Sequence, residues 1–144
     1  MNIRKPTDYT TMFAALDALM AAQLPQMKLY REIGRVVSGK AEKGAAVAAS
    51  EYLQMTYPAA DGFSPRNVRR MRAFYATYEE SPDIMRLAMN LGWTQNVAIL
   101  ERCGSSEERA WYIRAVLRFG WKKAKLLAAI KSQVWLYSSL DEQA

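Results

Sequence analysis

From Tyr9 onward the apolar side chains return at intervals of three and four: Tyr9, Met12, Phe13, Leu16, Leu19 and Met20. That interval places them along one side of an α-helix and is incompatible with the strict alternation of a half-buried strand. Thr7 or Asp8 is positioned to cap this first helix. A second stripe, Met27, Tyr30, Ile33 and Val37, keeps nearly the same phase beyond Pro25, so the segment reads either as two helices or as one helix kinked at the proline. Ser38 and Gly39 end it. A third helix, from about Ala41 to Thr56, carries Ala46 and Ala49 beside Leu53, small residues that let helices approach closely, and it stops at Tyr57-Pro58.

Start and stop signals divide the remainder in the same way. Pro58 to Gly62 forms a turn, with a short hairpin around Tyr57 to Phe63 as the alternative. Ser64-Pro65 then supplies an N-cap and a proline at the first helical position, opening a helix that runs to about Tyr78. Ser81-Pro82 repeats that signal for a short helix, and Thr94 is placed to cap the next, which carries Val97, Ile99 and Leu100. Ser105 and Glu108 form a capping box for a helix reaching Phe119, where Gly120 halts it. A last helical stretch takes in Leu126, Leu127, Ile130, Val134 and Leu136, and the polar tail Asp141 to Ala144 is expected to fray. The expected fold is all-α, one compact multi-helix domain over residues 1–144 containing a helix-turn-helix-like unit.

Composition narrows the chemistry. The chain has no histidine and one cysteine, Cys103. This removes Ser-His-Asp and Cys-His catalysis together with the commonest transition-metal ligand, and a zinc site cannot be assembled in the usual way. No metal, cofactor or small-molecule substrate is expected, and the reading is of a protein that is not an enzyme. A lone thiol makes no internal disulfide, which favours a cytoplasmic location. Arg4, Lys5 and Asp8 precede an amphipathic stretch without a small-residue cleavage site, unlike a secretory leader, and charges such as Asp17 interrupt the apolar segments well short of a membrane span. The net charge of +6 favours an anionic partner.

The helix 64–78 concentrates that charge. At 100° per residue, Val68, Met71, Tyr75 and Tyr78 share one face, with Phe74 at its edge. Arg66, Arg69 and Arg70 point the other way, beside Ala73 and Thr77, while Asn67 and Arg72 lie on the flanks. No acidic residue intervenes before Glu79 and Glu80. Uncompensated guanidinium groups repel one another, and a polyanion relieves that repulsion. Arginine also carries the planar fork that matches phosphate and guanine edges, and small neighbours allow close approach to a groove. Lys40 and Lys43 extend the basic strip. The same pattern is also that of a solvated face whose charges pair with carboxylates such as Glu51 or Asp83.

Three stretches carry a resemblance: Leu29-Tyr30-Arg31-Glu32-Ile33-Gly34, then Gly62-Phe63-Ser64-Pro65-Arg66-Asn67-Val68-Arg69-Arg70-Met71-Arg72-Ala73-Phe74-Tyr75, then Gly92-Trp93-Thr94. They resemble the N-terminal domain of the YhcG-type family of PD-(D/E)XK nucleases, and a weaker likeness continues through Glu108 to Tyr112 and from Trp121 to Ile130. The resemblance implies a helical, helix-turn-helix-like DNA-binding domain that is ordinarily followed by a separate nuclease domain. Carried onto this chain it points to Arg66, Asn67, Arg69, Arg70 and Arg72. Lys43 stands where the family often has tryptophan, and Gln95 and Lys122 replace the more usual histidine and serine. The nuclease chemistry needs a carboxylate two residues before a lysine, and no acidic residue of the chain has lysine at that offset.

Two functions from different classes fit these features. One is a non-catalytic DNA-binding module using the basic helix 64–78, with Arg66, Asn67, Arg69, Arg70, Arg72 and Lys43 as contacts, accessory to a nuclease or DNA-defence system. The other is a protein-interaction module, making a homodimer or docking a nuclease partner, motivated by the large apolar residues Trp111, Trp121, Trp135, Leu136 and Tyr137. Binding at a membrane surface is disfavoured, because the basic helix turns its apolar face toward a core.

Overall fold

The computed structural model describes residues 7–140. Among them are eight α-helices and no strand. The tail Asp141 to Ala144 and the basic pair Arg4 and Lys5 lie outside the described residues. The chain forms two units, Met1–Ala76 and Thr77–Ala144.

In the first unit, α1 (Thr10–Ala21) and α2 (Gln26–Ser38) are distinct helices. The break falls at Gln23, whose φ is +52°, followed by Pro25, so the kinked-helix alternative is excluded. The N-cap is Tyr9, not Thr7 or Asp8, and it makes no side-chain cap bond; Asp8, one residue earlier, accepts from the Thr10 N–H at 2.9 Å and the Thr10 hydroxyl at 2.6 Å. α3 (Gly44–Thr56) starts later than the alanine-rich sequence implies. In the segment before it, the Arg72 guanidinium donates to the carbonyls of Lys40 and Glu42, and the Glu42 carbonyl also accepts from the Ala45 N–H at 3.2 Å. Ala45, Ala46, Ala49 and Leu53 are fully buried, so small side chains do bring α3 against its neighbours.

The connection 57–64 is a turn and not a hairpin, with the Ala60 N–H donating to the Tyr57 carbonyl at 3.0 Å. Gly62 has φ +93°, and a Cβ there would lie 2.3 Å from the Tyr30 hydroxyl, so both backbone conformation and space require glycine. Ser50 (hydroxyl, 2.6 Å) and Gln54 (amide, 2.9 Å) both donate to the Phe63 carbonyl, satisfying an acceptor the turn would otherwise bury. α4 (Pro65–Tyr78) follows, its Asn67 N–H donating to the Ser64 hydroxyl as the capping signal predicts.

Val68, Met71, Phe74 and Tyr78 are buried along α4. Phe74 therefore sits within the buried face and not at its edge, and Tyr75 takes the flank. The correction follows from the neighbours: α2 crosses so closely that a Cβ on Gly34 would lie 2.1 Å from the Met71 carbonyl oxygen and 3.1 Å from the Tyr75 Cβ. α1 is held to α3 by Phe13 stacked on Tyr52 at 4.2 Å and by Asp17, which accepts hydrogen bonds from the hydroxyls of Tyr52 and Tyr57 at 2.6 Å each.

The second unit contains α5 (Pro82–Ala88), α6 (Trp93–Arg102), α7 (Ser106–Phe119) and α8 (Lys123–Lys131), then a 3₁₀ turn, Val134–Leu136. α6 begins at Trp93, and Gln95, not Thr94, serves its start: the Gln95 carbonyl accepts from the Gly92 N–H at 2.7 Å while its amide donates to the Trp121 carbonyl at 2.6 Å. The box at α7 is half as drawn from sequence. Ser105 accepts from the Glu108 N–H at 3.1 Å, but Glu108 reaches back one residue further, to the Gly104 N–H at 2.9 Å. Gly120 closes α7 with φ +67°. The final helix stops at Lys131, because Gln133 takes φ +53° and turns the chain out of α-helical geometry, leaving Val134 and Leu136 in the 3₁₀ turn. Ile99, Tyr112, Ile113, Leu126 and Ala129 form the core, with Asn96 buried among them and donating to the Ala88 carbonyl at 2.9 Å. No described helix is long and apolar enough to cross a membrane.

Candidate functional site

The buried face of α4 determines where its arginines go. With Val68, Met71 and Phe74 packed into the first unit, Arg66, Arg69 and Ala73 are exposed on the outer face. Neither Arg66 nor Arg69 forms an ion pair with an acid among the described residues, whereas Asp83, a carboxylate considered for this pairing, sits 3.7 Å from Arg86. Arg70 is partly covered.

Asn67 and Arg72 do different work. The Asn67 side-chain amide donates to the Gly62 carbonyl at 2.6 Å, tying the start of α4 to the turn before it. Arg72 donates from Nη1 to the Glu42 carbonyl at 3.0 Å and from Nη2 to the Lys40 carbonyl. Its planar fork thus clamps the segment between α2 and α3 against α4. These donors of both residues go to the protein's own backbone.

The clamp brings Lys43, the residue preceding α3, to the edge of α4. Lys43, Gly44 and Val47 face Arg69, Arg72, Ala73 and Ala76 across an open groove of about 770 Å³. Its lining combines three cationic side chains with one glycine, two alanines and a valine. Sequence reasoning selected Arg69, Arg72, Ala73 and Lys43 but missed Gly44, Val47 and Ala76, because which face of α3 meets α4 depends on the Arg72 clamp and leaves no local signal.

Glu42 was also missed. It sits beside Lys43, and its carboxyl is held below the ordinary carboxylate range, chiefly by its own backbone N–H and further by the Tyr9 hydroxyl, Lys40 and Arg72. It therefore stays ionised and opposes an anion at that end of the groove. Among the described residues no three His, Cys, Asp or Glu side chains converge as a metal-binding group. Cys103 is buried in the second unit, and burial, reinforced by the charge of Glu108, pushes its thiol up to about 12, far from the value of an activated nucleophile.

Residues 13–137 match the family model of the DUF1016 N-terminal domain. No match to the chain is found among the curated proteins or the solved structures.

Proposed function

The chain belongs to the DUF1016 N-terminal domain family, the family of the YhcG-type N-terminal domains, and from that membership together with the exposed cations of its first unit we propose a non-catalytic module that binds duplex DNA. The observation that carries the reading is the pair Arg66 and Arg69, solvent-exposed on α4 and in no ion pair among the described residues, with Arg69 and Lys43 lining one open groove together with small side chains. Phosphate would sit on Lys43, Arg66 and Arg69, and Gly44, Ala73 and Ala76 would let the nucleic-acid backbone come close. In this reading α3, the turn 57–64 and α4 act as a helix-turn-helix-like pair in which α4 meets the duplex. Asn67 and Arg72 support the surface and do not touch the ligand. The biological setting this fits is accessory binding for a nuclease domain, in cis or in trans.

The test is titration of labelled duplex DNA with the full chain and with its K43A/R66A/R69A variant over a salt series. Loss of three phosphate contacts flattens the dependence of log affinity on log salt by about 2.7. Wild-type affinity and slope in the variant overturn the proposal.

Exposed apolar residues support a second reading, docking of a partner protein on the second unit, where Leu136 is 61% and Tyr137 67% exposed. Light scattering distinguishes self-association: a monomer that binds DNA rules out a module that acts only by dimerising.

A further inference from the structure

From Arg109 to Leu140 the chain carries seven basic residues and no acidic one. That segment alone holds more positive charge than the net +6 of the whole molecule. It folds into α7, the Gly120 corner and α8, which place Lys122, Lys123 and Lys125 at the start of α8, all three exposed. None of the three makes an ion pair among the described residues.

The location is electrostatically adverse for lysine. A helix N-terminus bears partial positive charge and favours carboxylates; cations there are destabilising, more so when clustered. α8 has no side-chain cap to offset this. The folded second unit thus carries a local repulsion that a polyanion would relieve.

The corner is also firmly held. Gly120 takes the left-handed conformation, the Trp121 carbonyl accepts from the Gln95 amide of α6 at 2.6 Å, and the buried Trp121 ring lies 5.5 Å from Phe119 and 6.3 Å from Trp111. The Lys125 ammonium lies 5.9 Å above that indole. The lysine backbones therefore need little ordering on binding. Leu126, Ala129 and Ile130, the apolar side of α8, are buried in the unit, so the helix has no apolar face to lay into lipid.

We propose that the α7–α8 corner is a second nucleic-acid contact, distinct in its residues from the α4 groove, in which Lys122, Lys123 and Lys125 bind backbone phosphates. The identity of the polyanion rests on the DNA-binding reading of the first unit; the contact itself does not share its residues.

The experiment compares the full-length wild type with K122A/K123A/K125A, K122R/K123R/K125R and K43A/R66A/R69A variants, titrating labelled duplex DNA over a salt series. The alanine variant flattens the salt slope by about 2.7, and the arginine variant keeps it. The alanine variant loses the Lys125–Trp121 contact as well as the adverse dipole interaction, and a wild-type helical circular-dichroism spectrum at the titration temperature separates loss of a contact from loss of fold. A wild-type slope in the alanine variant, or a wild-type chain that binds phosphatidylserine vesicles in preference to duplex DNA, overturns the inference. If only K43A/R66A/R69A keeps the wild-type slope, the α4 reading fails and this contact stands.

Discussion

Gly34 illustrates how one position can decide a packing arrangement. A methyl group there meets the Met71 carbonyl oxygen at 2.1 Å, a backbone atom that cannot swing aside. G34A should therefore destabilise the protein by about 1–3 kcal/mol or more, measured by urea unfolding, and a wild-type midpoint would show that α2 and α4 are not in backbone contact. Asp17 makes a pH-dependent contribution. Hydrogen bonds from Tyr52, and then Tyr57, hold its carboxyl below the usual value of 3.8, so its stabilisation is present above that value and is lost as pH falls through the folded-state value. The same bond to Asp17 is the main reason Tyr57 is pushed up to about 12, so the tyrosine side of the contact persists through the ordinary phenol range and is lost near that pH. D17N should accordingly be less stable than wild type at neutral pH, and the gap should narrow in acid; a gap that stays constant with pH would remove the carboxylate from the account. Both tyrosines and Asp17 were visible in the sequence as residues, but not as a cluster, because they are more than thirty positions apart.

Among the elements, the approach of α3 to α4 depends most on Arg72. Its two donors hold the carbonyls of Lys40 and Glu42, and through them the direction in which Lys43 leaves for α3. R72A should cost about 1–3 kcal/mol of stability by loss of charge-assisted hydrogen bonds, and R72K should not restore it, since a single ammonium cannot reproduce the fork. Full rescue by lysine in thermal unfolding would reduce Arg72 to a charge. Glu42, at the same edge, should act in the opposite sense on binding. E42Q removes an ionised carboxylate beside Lys43 and should tighten duplex DNA by about threefold, the effect of a unit charge several ångströms away in water. Weaker binding by E42Q would place the nucleic acid elsewhere. Several helix boundaries were legible from local caps: Ser64, Ser105 and Gly120 all serve as the sequence indicated. Others were misread at α3, α6 and the end of α8, where the deciding bond or backbone turn comes from Arg72, Gln95 or Gln133.

Across the molecule, a ligand that binds only the folded state raises its stability by mass action. Duplex DNA at about one hundred times its dissociation constant should add about 2.7 kcal/mol, seen as a higher melting temperature that salt abolishes. An unshifted melt at saturating duplex would contradict the proposed function. The all-helical fold follows from chain chemistry alone, since three-and-four spacing of apolar residues and local caps act within a few residues of one another. Charge was equally open to inspection there, both in the arginines of α4 and in the acid-free run after Glu108. The helical period also put Arg66, Arg69 and Arg70 outward and Asn67 and Arg72 on the flanks, but what the flanking groups bind was beyond reach of any such inspection. Arg66 and Arg69 remain exposed while Arg72 and Asn67 are turned to backbone carbonyls, because hydrogen-bond acceptors far away in sequence come within reach only after the helices pack.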